Sequence, residues 1–536
     1  MSKSHCSFQQ LPFSKLFNTY VEDFSILSDF YTVNPFNNES VKTKADTIDK
    51  SENKKEFIKG LDEYHRYLGI SKDQKRQLSK FSEEDSLVIV TGQQLGVYGG
   101  PLFTVYKTIT TILLARKWEK ELGKPVVPVF WLADEDHDFE EIASIGIPDY
   151  DAFRSIGLKQ ESNGQPVSVQ QIQATIKEFT QNVKSGLPET DFTDALFTML
   201  EEYYSEGKSH VQAFAQLINS WFAGEGLLIV GSNFEPIKRL LAETFSKSIS
   251  KSDEIFKSLN LKSVELDKEF HRQVVVSESN LFYLDPSQGR LKLEKNNDTW
   301  IAGSLTLSEE KLVSMIEKNP ENFSPNVFLR PVIQDKLLPT LGYVAGPGEL
   351  SYYGQMKNLY PIFDLEMPII FPRLSITFIE SGIERIMEKL PFEMCSYNQR
   401  IEDLVAAYVD QTNTKDIEGV FSNWKDAITE IAENPNEFIK EIDPTLEGTT
   451  GKVVAGFSNE IDKLKGKVYR SLKQQEQTQL NRIAKIKSQL FPNGLQERSV
   501  TPIFFMNKYG NEIWTNILKD FEKEDLDLTV HHIITL

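Results

Sequence analysis

The stretch "SLVIVTGQQLGVYGGPLFTVYKTITTILLARKWEKELGKPVVPVFWLADED" (86–136) constrains the fold more than any other part of the chain. Leu87 to Val90 is a short apolar, β-branched run, which predicts a buried strand. Val105, Ile109, Ile112, Leu113 and Leu122 recur near helical spacing, so a helix is expected over 102–122, ended by Gly123. Val126 to Trp131 predicts a second strand. A strand, helix and strand in one such stretch form a βαβ unit, which implies a parallel sheet with a right-handed crossover.

"GEGLLIVGSNFEPIKRLLAETF" (224–245) repeats the pattern, with a strand over 227–230 and a helix from Glu235. Residues 330–380 return to short apolar runs and glycine-rich turns. Residues 1–85 are charged and helical in pattern, and 150–222 are polar and mostly helical. Over 272–305, "RQVVVS", "NLFYLD", "RLKLEK" and "TWIAGS" are separated by turn residues and predict β-hairpins. The expected architecture is α/β, with a Rossmann-like core over 1–380 interrupted by insertions at about 150–222 and 255–328. After Glu380 helices dominate. Phe457, Ile461, Leu464, Val468 and Leu472, then Leu480, Ile483, Ile486 and Leu490, recur at three- and four-residue steps, which predicts a coiled-coil seam within a helical domain over 381–490. Pro492 and Gly494 end it, and 491–536 is expected to return to the core.

With 536 residues, more than one core is expected. A net charge of −19 argues against general nucleic-acid binding, although 452–490 holds nine Lys/Arg against three Asp/Glu. Two cysteines, Cys6 and Cys395, are too few for a disulfide framework or for a zinc site built mainly from thiolates. The N-terminal residues lack the apolar segment of a secretory signal, and no run approaches transmembrane length, so a cytoplasmic location is expected.

Four stretches carry chemistry. In "TGQQLGVYGGPLFTVYK" (91–107), Gly92, Gln93, Gln94, Gly99 and Gly100 lie between strand and helix, where backbone N–H groups can face an anion. Tyr106 and Lys107 follow in the second turn of the helix, placed to reach a phosphate or carboxylate. The spacing matches no standard nucleotide loop, and a plain strand–helix turn is the competing reading. In "ADEDHDFEE" (133–141), acids and a histidine crowd the C-terminal end of the second strand, where open α/β sheets bind ligands. Asp134, Asp136 and His137 are candidates for a general base, an ammonium grip or Mg²⁺ ligands, against the alternative of an acidic helix start. In "GYVAGPGELSYYGQM" (342–356), Gly346, Gly348 and Glu349 bracket a turn; by themselves they read best as a turn before core aromatics, and with the other stretches they are candidates for binding substrate or nucleotide. In "FPRLS" (371–375), Arg373 could clamp a carboxylate or form an ordinary ion pair.

Together and in this order, these stretches, with "LRPVIQDKLLPTLGYVAGPGELSYY" and "LFPNGLQERSV…NKYG", resemble the family of cysteine-adding enzymes of bacillithiol synthesis. The resemblance runs nearly end to end. It implies a Rossmann-like core with two inserted connecting-peptide regions and a C-terminal α-helical coiled-coil domain that makes a homodimer. It further implies a ligase that joins L-cysteine to glucosaminyl-malate, with ATP as the expected co-substrate. The acidic stretch leaves Mg²⁺ open, and with two cysteines no cysteine-ligated zinc is expected. No phosphate loop of the "KMSKS" type is present. A sugar-nucleotide-type transferase and a coiled-coil scaffold on a non-catalytic nucleotide-binding core are the rival readings.

Overall fold

The computed structural model describes residues 2–48, 53–149, 153–412, 416–475 and 477–536. The chain divides into two compact units. Among the described residues, the first comprises the chain up to 149, 153–378 and 492–534, and the second 379–491 and 535–536.

The first unit is built on a five-stranded parallel sheet: β1 (Leu87–Gln93), β2 (Val126–Leu132), β3 (Leu228–Val230), β4 (Thr340–Ala345) and β5 (Ile369–Pro372). The spatial order is β5-β4-β1-β2-β3, with every pair parallel. The chain therefore moves outward from β1 in one direction through β2 and β3, then restarts on the other side with β4 and β5. All of β2 is buried, as expected for a strand flanked by ladders and covered on both faces.

Helix α1 (Phe103–Leu122) crosses from β1 to β2 and ends on Gly123, which has φ +65°. Its flank is apolar almost all round, and four threonines are buried in it. Thr108, Thr110 and Thr111 donate their hydroxyls to carbonyls one turn back, at 2.8, 2.6 and 2.8 Å, which removes the cost of burying them. Thr110 Oγ1 also accepts the Leu374 N–H at 2.9 Å, fastening the end of β5 to the helix.

The insertions keep the expected helices but not every expected strand. Residues 150–152 lie outside the described set. Beyond them come a strand Phe153–Gly157, paired with Ser144–Pro148, and helices Ile176–Gly186, Thr193–Tyr203 and His210–Trp221. Leu281–Asp285 and Gly289–Lys292 form a hairpin, and Thr299–Ala302 pairs with Leu305–Ser308. "RQVVVS" is not a strand, because its backbone finds a side chain instead: Val274 N–H donates to Gln355 Oε1 at 3.0 Å and Val274 O accepts from Gln355 Nε2 at 2.9 Å.

The second unit is helical. Helices α2 (Ile417–Ile431) and α3 (Glu447–Gln475) pack around Ile417, Phe421 and Ile461, with Val468 against them. α4 (Gln477–Leu490) buries Ile483, Ile486 and Leu490. The seam residues thus divide: these turn inward within their own unit, while Phe457 and Leu464 are exposed. The Leu472 side chain lies outside the described set. Among the described residues, no helix is long and apolar enough to cross a membrane.

Gly99 has φ +91°, and a Cβ there would sit 2.2 Å from the Trp221 ring. Strain and overpacking then add, so Gly99→Ala should cost about 3 kcal/mol. A thermal midpoint several degrees below wild type is expected, and an unchanged midpoint contradicts this packing.

Candidate functional site

The strand order reverses between β1 and β4, and in an open parallel sheet that reversal leaves a crevice at the C-terminal strand ends. The ends that meet there are Gly92-Gln93 of β1, Ala345-Gly346 after β4, and Arg373 after β5, whose N–H donates to Ala345 O at 3.0 Å. The candidate stretches converge here because β1 and β4 are neighbours.

At the centre lies an ion pair between Lys107 and Glu349. Lys107 comes from the second turn of α1 and its side chain is only 4% exposed. Its Nζ donates to Gly92 O at 2.8 Å, to Gln93 Oε1 at 3.1 Å and to Glu349. Three acceptors call for three N–H bonds, so the group is an ammonium. Burial pulls its pKa down while Glu349 pushes it up, with the net shift downward. Burial would raise Glu349, but the Lys107 charge, the Tyr343 hydroxyl and the Gly346 N–H outweigh it and hold the carboxyl below its ordinary value. The two shifts disagree about how firmly the pair is charged, and the three matched hydrogen bonds decide for the ionic form. Glu349 accepts from Gly346 N–H at 2.8 Å and from Tyr343 OH at 2.7 Å.

Two clefts flank this pair. One, of about 530 Å³, is lined by Gln93, Lys107, Gly346, Gly348, Arg373 and Arg498 among others, with no carboxylate. The second, of about 540 Å³, has Glu135, Asp136, Glu141 and Glu349 in its wall, with Arg290 and Arg330 and an aromatic surface that includes Trp131 and Tyr343. Gln93 lines both clefts. Lys107 borders the first and Glu349 the second, so the ion pair is the partition between a cationic side and a predominantly acidic one. Gly346 marks the convergence: a Cβ there would lie 3.4 Å from Glu349 Oε2, 3.7 Å from Arg373 Nε and 3.8 Å from Lys107 Cε.

The acidic run does not act as one cluster. Asp134 is fully buried and lines neither cleft. It accepts from Tyr64 OH at 2.8 Å, Ser232 N–H at 3.2 Å and Asn233 N–H at 3.1 Å, bolting the end of β2 to the turn after β3. Glu135 pairs with buried Lys238 at 2.9 Å. Asp136 and Glu141 share the Gln94 amide, at 2.8 and 2.6 Å. Burial would raise Asp136, but Gln94, the backbone and the Arg290 charge keep it below the usual carboxylate range. His137 lines neither cleft, and its Nδ1 lies 3.2 Å from Arg290 Nη1, so it accepts there as the neutral Nε2–H tautomer. Among the described residues no group of three or more His, Cys, Asp or Glu converges as metal ligands. Of the three proposed catalytic residues, only Asp136 faces a cleft.

The first glycine loop also differs from expectation. Gly92, Gln93 and Gln94 reach the clefts, but Gly99 and Gly100 are buried away from them against Trp221 and Thr104. Tyr106 is fully buried beside Phe378, where it meets no ligand surface. The loop at 346–348, a turn by its own pattern and a binding candidate beside the other stretches, borders the cationic cleft. Arg373 is not a free clamp: both Nη atoms are held by buried Glu497 at 2.9 and 2.6 Å, leaving Nε without a partner beside Gly346. Sequence reasoning missed Glu497, Arg498, Arg290 and Arg330. The last lies in "LRPVIQDK", where an arginine before an apolar helix face was the available signal.

Burial, with the neighbouring Glu135 charge, raises Asp134 from 3.8 to about 7. The folded state then keeps a proton that the unfolded chain releases, so this contribution to stability is full below about pH 4 and is lost as pH rises to about 7, by up to about 1.4 kcal/mol per pH unit. Unfolding free energies of wild type and Asp134→Asn should differ by an amount that changes across this window. A constant difference contradicts the assignment.

Two family models match the chain: bacillithiol biosynthesis BshC, N-terminal Rossmann-like domain, over 1–374, and bacillithiol biosynthesis BshC, C-terminal coiled-coil domain, over 376–536. A relative from Salinibacter ruber is 32% identical over 93% of this chain and 92% of its own length. One from Chloroherpeton thalassium is 30% identical over 96% and 94%, and one from Bacillus cytotoxicus is 27% identical over 90% and 91%. All three carry the name "Putative cysteine ligase BshC". With the sheet order, the site at its switch point and both models in agreement end to end, the chain belongs to the bacillithiol biosynthesis BshC family.

Proposed function

We propose that this chain joins L-cysteine to the amino group of glucosaminyl-malate, activating the cysteine carboxylate with ATP. The observation that carries the reading is the partitioned site, with a cationic cleft and an acidic, aromatic-walled cleft meeting at Lys107 and Glu349. Amide formation brings together these two kinds of group. A carboxylate becomes an acylating agent when its oxygen is made a leaving group by phosphoryl or adenylyl transfer. Lys107, Arg498, the Arg373 Nε–H and the 346–348 loop suit that anionic half. The ionised Asp136 and Glu349, beside Trp131 and Tyr352, suit the ammonium groups of cysteine and the acceptor. Arg290 and Arg330 in the same wall suit their carboxylates.

The names of the relatives support the ligase class. The chain's second unit supports the homodimer: Phe438, Ile442, Val453 and Phe457 are each more than half exposed, and an apolar groove of about 490 Å³ runs between Ile428 and Phe457. An apolar face of this extent fits the same face of a second copy.

Incubation of the purified chain with cysteine, glucosaminyl-malate and ATP should yield the thiol product by mass spectrometry. No product under any nucleotide, with both substrates intact, contradicts the ligase reading. Gly346→Ala should keep its thermal midpoint, since φ is −76° and no added contact is below 3.4 Å, yet lose at least about tenfold in product formation. Unchanged turnover removes the convergence point from the site. Val453→Asp with Phe457→Asp should give monomers by light scattering, and an unchanged dimer places the interface elsewhere.

A further inference from the structure

The partition between the clefts has an asymmetry that assigns it a job. Oε2 of Glu349 takes the Gly346 N–H and Lys107, while Oε1 takes only the Tyr343 hydroxyl. An ionised carboxylate oxygen has two acceptor sites, so Oε1 keeps one, on a residue that forms the wall of the acidic cleft. The other carboxylates there lack such a counter-ion: Glu135 pairs with Lys238, which is 1% exposed, and Asp136 and Glu141 accept from the neutral amide of Gln94. Lys107 is different. It lines the cationic cleft, and the absent side chain of Gly346 leaves space between Lys107 Cε and the unpartnered Arg373 Nε. It therefore has somewhere to go.

We propose that Glu349 is the base that takes the proton from the attacking amine, and that Lys107 is its removable counter-ion, drawn away by the anionic group that enters the cationic cleft. This rests on the ligase reading above. The acceptor enters as an ammonium, and Glu349 Oε1 takes one of its N–H protons. The freed nitrogen lone pair forms the C–N bond to the activated carboxyl carbon, and the C–O bond to the phosphate-class leaving group breaks with its electron pair. The new amide nitrogen loses its surplus proton to water, and Glu349 returns its own proton to solvent. While Lys107 stays paired, its charge holds Glu349 a weak base. Once Lys107 turns to the anion, burial strengthens that base. Proton removal is thus tied to the presence of the acyl donor.

Hydroxylamine tests this, because it is already neutral at neutral pH and needs no base. The full chain and Glu349→Gln are each supplied with cysteine, ATP and either glucosaminyl-malate or hydroxylamine. Wild type should form both the thiol product and the cysteinyl hydroxamate. Glu349→Gln should lose about 100-fold or more with the natural acceptor and at least about tenfold less than that with hydroxylamine, in line with general-base catalysis. Equal loss with both acceptors, or loss with neither, overturns the base role. If Glu349→Gln does not keep its wild-type thermal midpoint, Glu349→Asp serves: its loss with the natural acceptor should exceed its loss with hydroxylamine at least about tenfold, and equal losses again overturn the role. Calorimetry of a non-hydrolysable ATP analogue at mildly acidic pH should show proton uptake in wild type that the variant lacks, and equal uptake overturns the counter-ion exchange. A wild-type chain that makes neither product removes the ligase reading itself, and with it the amine this base would serve.

Discussion

Burying an ammonium costs several kcal/mol unless its charge and all three N–H bonds are matched. Lys107 is matched by a carbonyl and an amide oxygen at the end of β1 and by a carboxylate from just after β4. These acceptors are neighbours only because the strand order reverses between β1 and β4. The reversal is a property of the whole first unit, since roughly half the chain separates the two strands. The site is therefore as secure as the sheet, and its charges stand at the one edge where the sheet opens.

The last segment of the first unit completes this arrangement from a distance in sequence. Glu497 is fully buried, and it fixes the Arg373 fork while accepting Ser375 Oγ at 2.7 Å. Gln496 clamps Phe378 through both its N–H and its carbonyl, at 2.8 and 3.0 Å. His531 bridges Ser375 and Thr377 at 2.7 and 2.9 Å, with its pKa driven by burial down to about 4, so it is neutral in the fold. These groups hold the 373–378 segment that follows β5 and leave the Arg373 Nε–H without a partner beside the cationic cleft, which is how a residue already paired still lines that cleft.

The sequence made the strands and α1 legible because their signals are local: β-branched runs, helical spacing and a stopping glycine. The switch point was legible only as a set of loops, since pairing between β1 and β4 leaves no local trace. That is why "GYVAGPGE" by itself read as a turn, and as a binding loop only beside the other stretches, while "GVYGG" read as an anion loop from its own spacing. Gly99 packs against Trp221, and Gly346 sits where Glu349, Arg373 and Lys107 converge. The acids of 134–141 read as one cluster because spacing carries no information about partners. Tyr64, Lys238 and Gln94 come from three other segments and disperse them. Arg373 stood out in "FPRLS", but its partner was invisible, since Glu497 follows the whole helical unit. "RQVVVS" failed as a strand because Gln355, far along the chain, supplies its hydrogen bonds.

The central claim is that the Lys107–Glu349 pair divides an anion-binding side from an amine-binding side. The most direct measurement is a crystal structure with cysteine, glucosaminyl-malate and a non-hydrolysable ATP analogue bound. The account predicts phosphate oxygens within hydrogen-bonding reach of Lys107 Nζ and Arg373 Nε, and an ammonium against Asp136 and Glu349 across the partition. Phosphates seated among Asp136, Glu141 and Trp131, or all ligands away from the β1–β4 edge, would contradict it.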